Sequence, residues 1–160
     1  RFSADGKYMY LISELKNYIT VYNYFINEKG HPEFEFKQLV SSVPKKCDEL
    51  SAACALRFSD DGKYAFCSNA GDNSVGFFKI DEENGLLRVQ SILPISGDYP
   101  KDLAIFPDGK HFVSVNQDSN TLTFFTIDYK KGIIIMNGHP LPLDNGNCCI
   151  IVPVEEEEQK

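Results

Sequence analysis

Six polar residues of this chain, Glu14, Asn69, Lys101, Asp102, Asn116 and Gln117, stand where strands predicted from a repeated pattern begin or end. Their types suit the attack of water on an acyl carbon. A carboxylate such as Glu14 can take the proton of the attacking water, which makes it the candidate general base. A cation such as Lys101 can hold an anionic group as a point charge, with Asp102 beside it. The amides of Asn69, Asn116 and Gln117 can bond ring oxygens or a developing oxyanion. Each residue type also has a plainer use, as a solvated loop carboxylate, a surface lysine or a turn-forming asparagine at a strand end.

Other chemistry has little support. His31, His111 and His139 lie far apart with no ligand spacing, so no metal is expected. There is no Gly-x-Ser-x-Gly elbow and no phosphate-cradling glycine loop, and no organic cofactor is implied. A net charge of −7 argues against a nucleic-acid face, which needs a basic stripe. No apolar run is long enough to span a bilayer, and no membrane partner is expected. The five cysteines are odd in number and lack a Cys-x-x-Cys pair, and several fall in apolar strands. Buried reduced thiols, and hence a cytoplasmic location, are the expectation.

The six residues owe their placement to a repeat. The turns Ala4-Asp5-Gly6-Lys7, Asp60-Asp61-Gly62-Lys63 and Pro107-Asp108-Gly109-Lys110 recur on the order of fifty residues apart, a spacing typical of stacked supersecondary units. Phe2, Phe58 and Phe106 precede them. Eleven residues past each glycine comes an asparagine (Asn17, Asn73, Asn120), and then the aromatic-bearing strands Val21-Tyr22, Phe77-Phe78 and Phe124-Phe125. Alternation predicts four strands in the middle unit: Cys54 to Phe58, Lys63 to Asn69, Ser74 to Asp81 and Leu87 to Leu93. Asp61-Gly62 turns the first into the second, because glycine accepts positive φ and aspartate bonds the backbone two residues on. Glu83-Asn84-Gly85 turns the third into the fourth. An all-β fold with almost no helix follows, and four short antiparallel strands per unit make a propeller blade. A β-sandwich would also give regular strands, but would not demand the same turn, asparagine and aromatic at fixed offsets.

The inner two strands of a blade are antiparallel neighbours, so the start of the first and the end of the second meet at one mouth of the central channel. That end holds Ser13 and Glu14, then Ser51 to Ala53 with Asn69 and Ala70, then Lys101, Asp102, Asn116 and Gln117. Asn147 to Val152 is expected to be one more inner strand, completing a blade from elsewhere. Residues 1–154 are therefore expected to be part of one propeller domain, about three blades of it, and 155–160 an acidic tail. Known propellers need roughly four to eight blades to close. The remaining blades, or another chain, are the expected partners.

The units Ser59-Asp60-Asp61-Gly62-Lys63-Tyr64 through Asn69, and Gly97-Asp98-Tyr99-Pro100-Lys101-Asp102 through Lys110 with Val115-Asn116-Gln117, resemble the carboxy-terminal half of the lactonase-type seven-bladed propellers. That family includes bacterial 6-phosphogluconolactonase and the fungal carboxymuconate cyclases. The resemblance implies a seven-bladed ring, of which residues 1–154 are the carboxy-terminal part with about four blades absent on the amino-terminal side, and a small sugar or carboxylate lactone as ligand. It also implies a catalytic role for Glu14, which falls on the glutamate of the family's Asn-Glu-Leu motif. Lys101 falls where the family commonly has arginine, and Asn69-Ala70-Gly71 where it has Asn-Arg-Gly. The chain thus reads as a lactone hydrolase, with a lactonising enzyme or a non-catalytic ligand-binding or scaffold propeller as the alternatives.

Overall fold

A computed structural model describes residues 1–47 and 50–152, and the predicted acidic tail lies outside these residues. The described residues contain no helix. The first blade comprises β1 (Tyr8–Ser13), β2 (Tyr18–Ile26) and β3 (Pro32–Ser41). The second comprises β4 (Ala53–Phe58), β5 (Tyr64–Asn69), β6 (Ser74–Ile80) and β7 (Leu87–Pro94). The third comprises β8 (Pro100–Ile105), β9 (His111–Asn116), β10 (Thr121–Asp128), β11 (Ile133–Met136) and β12 (Leu141–Pro142). Every pairing is antiparallel. In the third blade β11 and β12 share the outer edge of β10. A bridge from Phe2 to Met9 supplies the stub of an inner strand in the first blade.

The Asp-Gly turns work as their chemistry requires. Gly62 has φ +70°, the Asp61 carboxylate accepts from Lys63 N at 3.1 Å, and the Ser59 hydroxyl donates to Asp61 at 2.6 Å while accepting from Tyr64 N. Ser3 and Asp5 repeat this around Gly6. The third turn differs by one register step from the expected alignment. Phe106, not Pro107, exchanges backbone bonds with His111 and Gly109, so Phe106 replaces the turn serine and Ile105 matches Phe58. With no hydroxyl available there, His111 bonds Asp108 instead.

The repeated asparagines explain how a blade hands the chain to its neighbour. Asn17, Asn73 and Asn120 all have left-handed backbones (φ 54°, 49° and 53°), which asparagine tolerates better than most side chains. Their carbonyls accept from Ser42, Ile95 and Leu143, which follow the outer strands. Their side chains then grip the onward connection at Ser51 O, Tyr99 N and Asn145 N. One residue therefore closes the turn and anchors the linker.

Blades stack through two apolar layers. Between the first and second lie Tyr10, Ile19, Val21, Ala65, Cys67, Phe78 and Ile80. Between the second and third lie Phe66, Phe77, Phe112 and Phe125, with Phe66 stacked on Phe77 at 4.7 Å and Phe112 on Phe125 at 4.9 Å. Successive residues of β5 and β6 point to opposite layers, so the middle blade is buried on both faces and reads as nearly continuous apolar sequence. On the first blade, Leu11, Phe34 and Phe36 are exposed on the face away from the second.

Asn147 to Val152, expected to complete a blade from elsewhere, forms no strand within this chain. An inner strand needs a neighbouring strand to complete its ladder, and none follows among the described residues. The segment is tied by a side chain instead: Cys149 N donates to Asp102 Oδ2 at 3.1 Å.

Candidate functional site

The inner strands β4 and β8 each carry a bulge near their start. Ala53 and Ala55 face consecutive residues of β5, leaving Cys54 as the extra residue. Pro100 and Asp102 face consecutive residues of β9, leaving Lys101 in the same role. A bulge re-aims the side chain of its unpaired residue. Both open into one groove of about 460 Å³, lined also by Glu14, Arg57 and Asp102, with Asn147 and Cys148 from the carboxy-terminal segment. Ser68 Oγ takes up Ala55 N where the β4 bulge interrupts the ladder.

Three of the six predicted residues meet in this groove. Glu14 follows β1 with its side chain exposed, and its carbonyl accepts from Ala53 N at 3.2 Å, fixing the first blade to the start of β4. Lys101 holds its ammonium 5.2 Å from the centre of the Tyr99 ring. Asp102 is 4% exposed and fully bonded: Arg57 Nη2 donates to both of its oxygens at 2.6 and 2.8 Å, and Leu103 N and Cys149 N complete its partners. Cys54 lies among these charges. Burial raises its thiol pKa, Lys101 pulls it down, and Glu14 and Asp102 push it up.

The other three are elsewhere. Asn69 and Asn116 are fully buried within their blades. The Asn69 amide donates to Ser42 O and Ser74 Oγ. That of Asn116 donates to Thr121 and Thr123 and accepts from Ser114, and the backbone of Gly97 packs directly on it. Seven residues past the turn glycine, the side chain is turned into the blade. The next position, shared by Glu14, Ala70 and Gln117, is where the chain leaves the strand. Gln117 is half-buried, bonds Tyr99 O through its N–H, and does not line the groove. Ala70 is buried with its N–H on Ala52 O, so no long side chain reaches out there.

Sequence reasoning missed Arg57 and Cys54. A charged residue interrupting Ala55-Leu56-Arg57-Phe58, on a strand expected to face the channel, was the available signal for the first. The bulge that exposes the second leaves no mark in the alternation.

The family model for the seven-bladed β-propeller lactonases matches residues 1–151. The chain belongs to that family. Among curated relatives of this lactonase-family chain, an uncharacterised Staphylococcus epidermidis protein is 32% identical over 108 residues, covering 65% of the chain and 29% of the relative. The Bacillus subtilis 6-phosphogluconolactonase is 26% identical over 106 residues, covering 66% of the chain and 30% of the enzyme. Two solved structures superpose with a TM-score of 0.83 each. A Lactobacillus plantarum protein is 28% identical, with 92% of this chain and 42% of that chain covered. The periplasmic gluconolactonase of Pseudomonas aeruginosa is 26% identical, with 92% and 40% covered. The match thus spans under a third of these curated relatives, and the blades form a propeller sector.

Proposed function

We propose that these blades supply one side of the active site of a lactone-hydrolysing propeller, acting on a small sugar or carboxylate lactone. The observation that carries this reading is the groove shared by Glu14 and Lys101 in a lactonase-family chain. Glu14 takes the proton from water attacking the ring carbonyl, and Lys101 holds an anionic group of the substrate. Asp102 acts through Arg57 and not on the ligand, since its oxygens are occupied. The Asn69 and Asn116 amides are buried and Gln117 does not line the groove, so orienting the ring falls to the remaining blades. Five free thiols accord with a reducing, cytoplasmic setting.

A second reading, a binding propeller without catalysis, is favoured by Ala70, which offers no cation where the family motif has one. A pH-stat assay of the full-length protein on sugar lactones and a dicarboxylate-derived lactone separates the two. Acid release above the uncatalysed rate is expected, and its absence with every lactone would favour the binding reading.

A further inference from the structure

Arg57 lines two cavities at once. It belongs to the wall of the groove that holds Glu14 and Lys101, and to a second cavity of about 320 Å³ bounded by Phe58, Ala104, Ile105 and Ile150. The Arg57–Asp102 pair, joined by Cys149 N, therefore stands as the partition between them and as the floor of the groove. The pair also links the inner strands of adjacent blades.

The guanidinium is only partly committed. Nη2 bonds Asp102, and Nη1 bonds Leu56 O at a longer 3.3 Å. Nε–H donates to none of the described residues, and the side chain retains 27% exposure. Asp102 in turn shares its charge with two backbone N–H groups, which leaves it less able to cancel that of Arg57. A planar donor fixed by a buried carboxylate, with an N–H to spare at the floor of a groove, is suited to an anionic oxygen. Lys101 differs, being a point charge held by an aromatic ring.

We infer that Arg57 recognises the anionic oxygens of the ligand at the floor of the groove, and that Asp102 is its positioning residue. This rests on the reading of the groove as the substrate site. A ring-opened lactone presents a carboxylate and a phosphorylated sugar a phosphate, and either group has the required chemistry.

Calorimetric titration of the full-length protein with gluconate, 6-phosphogluconate and glucose tests it. The wild type is expected to bind the anions more tightly than glucose, and Arg57→Gln to weaken anion binding by about tenfold or more while leaving glucose unchanged. Loss for both anions identifies the carboxylate as the group read, and loss for 6-phosphogluconate alone identifies the phosphate. Arg57→Lys keeps the charge without the fork and is expected to fall between. Should Arg57→Gln fail to fold with Asp102 unpaired, the double variant Arg57→Gln/Asp102→Asn removes both charges together. Unchanged anion affinity in these variants, or a wild type that binds neither anion, overturns the inference. If lactone hydrolysis persists in that case, the functional reading survives. Arg57-dependent anion binding without hydrolysis sinks that reading and spares the inference.

Discussion

Arg57 on β4 and Asp102 on β8 form a two-pronged ion pair, with one guanidinium nitrogen 2.6 and 2.8 Å from the two carboxylate oxygens. It joins adjacent blades beside the groove, where the apolar layers leave off. Removing one member leaves the other charge without its partner. Asp102→Ala is expected to cost about 2–3 kcal/mol, below the 3–5 typical of a fully buried pair because Arg57 keeps some solvent. Urea unfolding measures this, and a change below about 0.5 kcal/mol would show that the pair contributes little.

Asn73 combines a left-handed backbone with a 2.8 Å bond to Tyr99 N. Asn73→Ala loses both advantages, at about 2 kcal/mol. Asn73→Gly relieves the backbone but leaves Tyr99 N without that acceptor, so about half the loss is expected. Denaturation in which glycine is as damaging as alanine would assign the whole effect to the hydrogen bond.

Asp108 and Asp5 lie in exposed turns, and their carboxyls are lowered from 3.8 to about 2. The main causes are the His111 side chain for Asp108 and the Ser3 hydroxyl for Asp5. Since the folded values lie below the unfolded ones, the unfolded chain binds more protons between them. The contribution of these turns is present above about pH 4 and is lost as pH falls through about 2. Carboxyl titration by NMR should place both midpoints near 2, and Asp108 should rise in His111→Ala. An unmoved Asp108 in that variant would remove the histidine as the cause.

The thiols should react in order of exposure. Burial pushes Cys67 to about 12 and Cys149 to about 11, whereas Cys148 is exposed. Alkylation at pH 8 followed by peptide mass spectrometry is expected to modify Cys148 first and Cys67 last. Equal labelling of the two would mean that the layer between the first and second blades opens on the labelling timescale.

The blades were legible because their determinants are local. An Asp-Gly turn, an asparagine and alternating apolar residues place the strands of the middle blade to within a residue, as β4 to β7 show. Phe106 was harder to place, since a one-residue shorter approach to Gly109 hides which residue replaces the turn serine. Asn147 to Val152 carries strand composition, but composition supplies no ladder partner. That Glu14, Lys101 and Asp102 share one groove was legible from which strand ends meet. Asn69 and Asn116 follow the same rule yet face inward, because a one-residue step along a strand reverses the side chain. Arg57 and its partner lie 45 residues apart, and only the stacking of two blades brings them together.

The central claim is that Glu14 is the base of a lactone-opening site. It is tested most directly by comparing lactone hydrolysis by the full-length protein with that of its Glu14→Gln variant, across sugar and dicarboxylate-derived lactones at fixed pH. Loss of a positioned general base lowers the rate roughly 10²- to 10⁴-fold, which is the predicted result. Equal rates for the two proteins would contradict it.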